Sequence, residues 1–313
     1  MKILNLILLL SISSFAEEWG MRNIEITKAR ELMTHSCKDS SILVGIIDTG
    51  IDIKHNDLKD SIWTNPNPIK MNIFGDKDLN GWDFARDTNL TNDFHGHGTH
   101  ISGIISGKNG VCPGIKLIGA AYYKETDDSM TNMTNSAKSF EYLISKRVRV
   151  INYSGGGPWF SQTEFNLIEK AKELGIVIVA AAGNNQQNSD QFLYFPAGYQ
   201  FDNIISVGAI GLDNKMPLFS NFGVNTIDIT APGVSIVSTT PGGRYGYMSG
   251  TSQATAFVTG VVALLLTENP KLTYKEVIKF VTEGATKLDS LKSKTKFGAS
   301  LNAYGAMKVL KNE

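Results

Sequence analysis

Three short segments of this chain carry an acid, a base and a hydroxyl. An apolar run, Val44 to Ile47, ends abruptly at Asp48 and continues as Thr49-Gly50. A carboxylate at a strand end can be partly buried and still accept hydrogen bonds, so it can fix a histidine's tautomer and stabilise its charged form. A turn-capping aspartate has the same local sequence. Further on, His95-Gly96-His97-Gly98-Thr99-His100 precedes a small, apolar run. Its glycines allow close backbone approach at a helix start, from which His97 would project as a general base. Gly250-Thr251-Ser252 opens a long apolar stretch. A serine there sits in the positive field of a helix N-terminus, although any helix can have a serine cap.

The histidines admit a second chemistry. His95, His97 and His100 are spaced like the zinc motif of metallo-β-lactamase-like hydrolases. That motif has an Asp directly before its last His, where this chain has Thr99, and it needs further His downstream. The chain has five His and none beyond position 100. A zinc hydrolase therefore stays a minor alternative, since catalytic zinc takes three protein ligands with a defined second shell. The same count constrains a serine triad. The order Ser, acid, His of α/β-hydrolases is excluded. The order His, Asp, Ser belongs to antiparallel barrels. What remains is Asp48, His97, Ser252 on a parallel sheet.

The elements that must position these residues fit that frame. Strands are expected at 42–47, 116–121, 148–152, 176–181, 204–207 and 226–229. Helices are expected at 98–106, 134–146, 162–173, 251–268, 273–283 and 302–311. Strands apolar on both faces that alternate with helices predict a doubly wound, mainly parallel α/β sheet with helices on both faces. Active sites of such sheets lie beyond the strands' carboxyl ends, where Asp48, Asn152, Ser154 and Asn184 fall.

With these residues in place, the chain resembles the subtilisin-like serine proteases, the subtilase family, from about Trp19 to Gly305. The order Asp, His, Ser is subtilisin's own. Residues 44–52, His97-Gly98-Thr99-His100 and Gly250-Thr251-Ser252 match the family's three catalytic motifs. Ala181-Ala182-Gly183-Asn184 resembles its oxyanion segment, which implies that the Asn184 amide faces the developing oxyanion. Ser154-Gly155-Gly156-Gly157 resembles the segment that pairs with an extended substrate. The resemblance implies a serine endopeptidase working through an acyl-enzyme, with no cofactor for the chemistry. A catalytically silent module that binds peptides is the alternative of a different class.

Several positions depart from the family. Ala256 stands where it usually has Pro, and Phe257 where it has His. Phe195-Pro196-Ala197 resembles a segment with a cis proline. The preceding Tyr194 stands where many subtilisins have a small residue at the floor of the S1 pocket, and Gly155 replaces a larger wall residue, so an altered preference for smaller P1 side chains is expected. Calcium is a further expectation, at Asp76, Asp78, Asn80, Asp83 and Asp87, on partial likeness to an EF-hand loop and to thermitase-like enzymes. The resemblance also places Cys37 and Cys112 near each other, which implies a disulfide.

The first residues are read apart from the fold. Lys2, the apolar run 3–12 and Ser14-Phe15-Ala16 form a signal-peptide pattern, giving residues 1–16 as signal and 17–313 as a single catalytic domain without a recognisable inhibitory pro-domain. An extracellular or periplasmic location is expected. Thirty basic residues balance thirty acidic ones, which gives no electrostatic reason for a nucleic-acid partner. The run 257–266 reads as a buried helix, so no stable membrane insertion is expected. Protein or peptide substrates, acted on by a monomer, are the expected partners.

Overall fold

The computed structural model describes residues 19–89 and 91–313. The signal-peptide reading of residues 1–16 lies outside them. Helix α1 (Ile26–Glu31) leads into β1 (Leu43–Asp48), β2 (Gly81–Asp83), α2 (His97–Ser106), β3 (Lys116–Ala121), α3 (Ser129–Ser145), β4 (Val150–Tyr153), α4 (Gln162–Glu173), β5 (Val177–Ala181), β6 (Ile204–Ile210) and β7 (Ile229–Pro232). A hairpin, β8 (Ile236–Thr240) and β9 (Arg244–Met248), precedes α5 (Thr251–Glu268), α6 (Tyr274–Glu283), β10 (Thr286–Lys287), β11 (Ala299–Ser300) and α7 (Ala303–Asn312).

The main sheet has the order β10-β11-β7-β6-β5-β4-β1-β3-β2 and is parallel except where β10 meets β11. The expected doubly wound α/β class is therefore the observed one. Strands β4 to β7 run outward in chain order on one side of β1, and β3 and β2 lie on its other side, so the topological switch point lies at the β1–β4 boundary. Asp48 ends β1 on one side of it, and Ser154 follows β4 on the other. Helices bury apolar side chains against both faces. The run 257–266 lies within α5, whose residues 251–267 are all buried. Among the described residues, no helix is long and apolar enough to cross a membrane.

Element boundaries differ from expectation in two informative places. Helix α3 starts at Ser129, before its apolar periodicity begins, because the Asp128 carboxylate accepts from Thr131 N (2.7 Å) and caps it. Strand β7 starts at Ile229, three residues later than expected. Thr226 donates from both its backbone N (3.0 Å) and its hydroxyl (2.8 Å) to Asp190 and so belongs to a loop.

Candidate active site

Strand β1 delivers Asp48 to the sheet's carboxyl edge, buried to 3% exposure. Helix α2 begins beside it. A Cβ on Gly98 would lie 2.1 Å from the Gly50 carbonyl and 3.0 Å from Asp48 Oδ1, so glycine alone lets the helix settle on the strand end. His97 Nδ1 then donates to Asp48 Oδ1 at 2.7 Å. That bond fixes the tautomer and leaves Nε2 as the nitrogen facing outward chemistry. Burial of the ring opposes its charge, but the Asp48 carboxylate, helped by Asp93, outweighs burial and holds His97 above its ordinary value of 6.5.

Asp93, which the sequence reading missed, holds the turn before α2. Its Oδ1 accepts from His95 N (3.0 Å), Gly96 N (2.7 Å) and the Thr49 hydroxyl (2.9 Å). Its Oδ2 accepts from Thr99 N (2.8 Å) and the Thr99 hydroxyl (2.7 Å). Thr49 completes the brace by accepting from Gly98 N (3.0 Å). One carboxylate thus satisfies the donors at the helix start and ties them to the residue after Asp48. An Asp two residues before a His-Gly-His-Gly turn is the cap signal that was available.

Ser252 lies in the first turn of α5, 8% exposed. Its hydroxyl donates to the Ser154 carbonyl (2.8 Å), and the Ser154 hydroxyl donates to the Ser252 carbonyl (3.0 Å). Behind them, Asn152 Nδ2 donates to Ser154 Oγ (2.9 Å), and the Thr259 hydroxyl donates to Asn152 Oδ1 (2.9 Å). Helix α5 is thereby fastened to the end of β4. Its neighbour Ala256 is buried, and the Phe257 ring lies where a Cβ on Gly20 would be only 2.6 Å away. These departures from the family therefore pack into the core behind the serine.

Asn184 follows β5. Its Oδ1 accepts from Thr251 N (2.9 Å) and the Thr251 hydroxyl (3.1 Å), which leaves the amide Nδ2 as its donating end beside the start of α5. Asn221, also missed from sequence, shapes this loop. It donates to the Ala182 carbonyl (2.8 Å) and accepts from Asn185 N (2.9 Å) and Gln187 N (3.0 Å).

The segment after β4 faces the Phe195 region. Gly157 and Phe195 exchange backbone hydrogen bonds at 3.0 and 2.8 Å, and the Phe195-Pro196 bond is cis, as the resemblance implied. The Tyr194 ring stands between two glycines: a Cβ would lie 2.8 Å from it at Gly156 and 3.0 Å at Gly183. At Gly155 a Cβ would meet the Tyr122 hydroxyl at 2.3 Å, so the tyrosine occupies the space a larger residue would need.

The three histidines of the zinc alternative point to different partners. The buried His100 Nε2 donates to the Ile236 (3.0 Å) and Gly246 (3.1 Å) carbonyls, and burial pushes its pKa down to about 4. His95 Nε2 is 3.8 Å from Glu125. The calcium candidates are likewise engaged. Asp78 is fully buried and paired with the Lys146 ammonium (2.5 Å), and it accepts from Asn65, Ile69 N and Tyr142. Asp83 pairs with Arg86 (3.1 Å), Asp76 accepts from Asn72 (3.0 Å), and Asn80 donates to the Trp63 carbonyl (2.8 Å). Asp87 takes a turn position with φ 50°. Among the described residues, no three His, Cys, Asp or Glu side chains converge as a metal site. As arranged, the loop around Asp78 does not fit a calcium donor set, because a lysine already fills the cation's place.

Cys37 and Cys112 form a disulfide with Cα atoms 5.5 Å apart, closing a separation of 75 residues.

A parallel sheet with a histidine–aspartate pair beyond β1 and a serine fastened beyond the neighbouring β4, at its switch point, defines a class of α/β proteins. Comparison with known proteins narrows it. The family model described as the subtilase family matches residues 39–300. The chain is 34% identical over 274 residues to subtilisin DY of Bacillus licheniformis, a match spanning 85% of this chain and 91% of that protein. It is 35% identical over 269 residues to subtilisin E of Bacillus subtilis (strain 168), across 83% and 65% of the two chains. It is 31% identical to subtilisin-like protease 1 of Plasmodium berghei (strain Anka), spanning 93% of this chain and about half (53%) of that protein's length. Among solved structures, a lanthipeptide protease superposes with a TM-score of 0.78 at 22% identity, covering 94% of this chain and 95% of the other. A cold adapted subtilisin-like serine proteinase gives 0.69 at 24% identity, with coverage of 84% and 90%. Those two similarities speak for the fold alone. The chain belongs to the subtilase family of subtilisin-like serine peptidases.

Proposed function

We propose that this chain is an exported, monomeric endopeptidase that cleaves peptide bonds through an acyl-enzyme, with Asp48, His97 and Ser252 as its triad. The observation that carries the reading is the 2.7 Å bond from His97 Nδ1 to Asp48 Oδ1 at the switch point, where α5 also presents Ser252. The Ser252 hydroxyl leaves the Ser154 carbonyl, turns to His97 Nε2 and gives up its proton as Oγ bonds to the scissile carbonyl carbon. Asn184 Nδ2 and the Ser252 backbone N–H stabilise the oxyanion. His97 then protonates the leaving amine. Water, deprotonated by His97, releases the acyl group. Ser154, Gly155 and Gly156 pair with the extended substrate, and Tyr194 limits the P1 side chain. Export would proceed with cleavage after Ala16, leaving residues 17–313 as the catalytic domain.

Hydrolysis of an unstructured protein, with and without chelator, tests the reading. Activity that resists chelation and disappears in Ser252→Ala is expected. Activity that survives Ser252→Ala and is lost on chelation would favour a zinc hydrolase. A folded protein without activity would favour a silent peptide-binding module.

A further inference from the structure

Against the Ser154–Gly157 segment, and lined in part by its Gly156 and Gly157, lies a cavity of about 210 Å³. Its lining includes Tyr122, Asn132, Tyr153, Trp159, Phe195 and Glu164. Glu164 is the unusual member. It is the third residue of α4, and the Ser161 hydroxyl caps its backbone N (3.3 Å). A glutamate at that position ordinarily folds back over the helix start. Here the side chain turns inward and is only 3% exposed. Its carboxyl accepts from the Ser136 hydroxyl (3.1 Å) and the Tyr199 hydroxyl (2.9 Å).

None of the groups acting on Glu164 is cationic, and the cavity's lining among the described residues has no Lys, Arg or His. Burial, only partly offset by the two hydroxyls, raises its pKa to about 7. Tyr122 and Tyr153 stand close enough to feel its charge, and both are held neutral by burial. A buried carboxylate with neutral partners is costly unless a counter-charge arrives. Aromatic faces around such a carboxylate suit an ammonium or guanidinium. Trp159, 68% exposed, stands at the cavity as a further such face.

We infer that Glu164 is a specificity-determining residue: the cavity takes a lysine or arginine side chain of the substrate, away from the scissile bond, and the substrate's cation completes the carboxylate. This rests on reading Ser154–Gly157 as the peptide-binding edge. An N-terminal amine offers the same charge, so the test uses N-acetylated peptides. A library of such peptides, cleaved at about pH 8 by wild type and by Glu164→Gln, should show lysine and arginine enriched at one position other than P1. The enrichment should fall by about tenfold to a hundredfold in the variant, the worth of a charge-assisted hydrogen bond, with uncharged peptides cleaved as before. Cleavage without that enrichment, or enrichment that survives Glu164→Gln, overturns the inference and leaves the peptidase reading standing. If wild type cleaves nothing, the peptidase reading fails, and binding decides the inference separately. Ser252→Ala should bind an acetylated lysine peptide more tightly than its norleucine counterpart, and lose that difference on adding Glu164→Gln. Equal binding of the two peptides overturns the inference.

Discussion

Ser252 and Ser154 exchange hydrogen bonds, each hydroxyl donating to the other's carbonyl at 2.8 and 3.0 Å. The pair joins the first turn of α5 to the end of β4, and so holds the proposed nucleophile against the proposed substrate edge. Ser154→Ala removes one of the two bonds and also the acceptor of Asn152 Nδ2. The expected loss is about 1–3 kcal/mol, because a buried donor is left unsatisfied. Urea unfolding of an inactivated form checks it, and an unchanged midpoint would show that the fastening does not matter.

The His97–Asp48 pair predicts a pH profile. Attack needs neutral His97, whose pKa lies above 6.5. The acid limb of kcat/KM should therefore have its midpoint above 6.5. Burial lowers the value while Asp48 raises it, so Asp48→Asn should move the midpoint downward. It should also cost about 10⁴ in kcat, the magnitude of the same change in a Ser-His-Asp triad, where the histidine is left in the wrong tautomer. The linkage has a definite sign. A raised folded value means the pair's contribution to stability is complete below the unfolded pKa, and is lost as pH rises through the folded one. Activity thus appears as that contribution disappears.

Tyr194 predicts substrate choice at P1. Its ring stands between Gly156 and Gly183. Peptides with Gly or Ala at P1 should be preferred, and Tyr194→Gly should shift preference toward aromatic residues. A wild-type profile dominated by Phe or Tyr at P1 would contradict this.

Glu164 predicts a pH-dependent stability. Its folded value is about 7 against an ordinary 4.5. The protonated form is favoured by folding, so stability is complete below about 4.5 and is lost as pH rises through about 7. Glu164→Gln should match wild type near pH 4 and exceed it near pH 8.5 by up to ~3 kcal/mol, taking about 1.4 kcal/mol per pK unit. Thermal unfolding at the two pH values reads the crossover. Equal stability at both would mean the carboxyl is not held protonated.

The Cys37–Cys112 bond closes a long loop. Replacing both cysteines by Ala should cost about 4 kcal/mol in the chain-entropy model. Two free thiols in the native protein, found by mass spectrometry, would contradict the pairing.

Elements with strong apolar patterns were legible from sequence: β3 at 116–121, α4 at 162–173 and α5 at 251–268 appear with the expected bounds. The β8–β9 hairpin was not, because Arg244, Tyr245 and Tyr247 of β9 are exposed and show no apolar face. Asp48, His97, Ser252 and Asn184 could be singled out because they sit at ends of such elements. Asp93 offered only a cap signal, an Asp two residues before His95-Gly96, and Asn221 offered none. Each acts through several loop backbone groups whose proximity only the folded chain creates. Glu164 was hidden for another reason: its place in a helix's first turn reads as a solvated cap, and only packing turns it inward.

The central claim is that Ser252 is a nucleophile activated by His97. It is tested most directly by reacting the protein with a fluorophosphonate and locating the adduct by peptide mass spectrometry. The account predicts one adduct, on Ser252, whose formation is lost in His97→Ala and rises with pH through a midpoint above 6.5. An adduct on another residue, or labelling of Ser252 indifferent to His97, would contradict it.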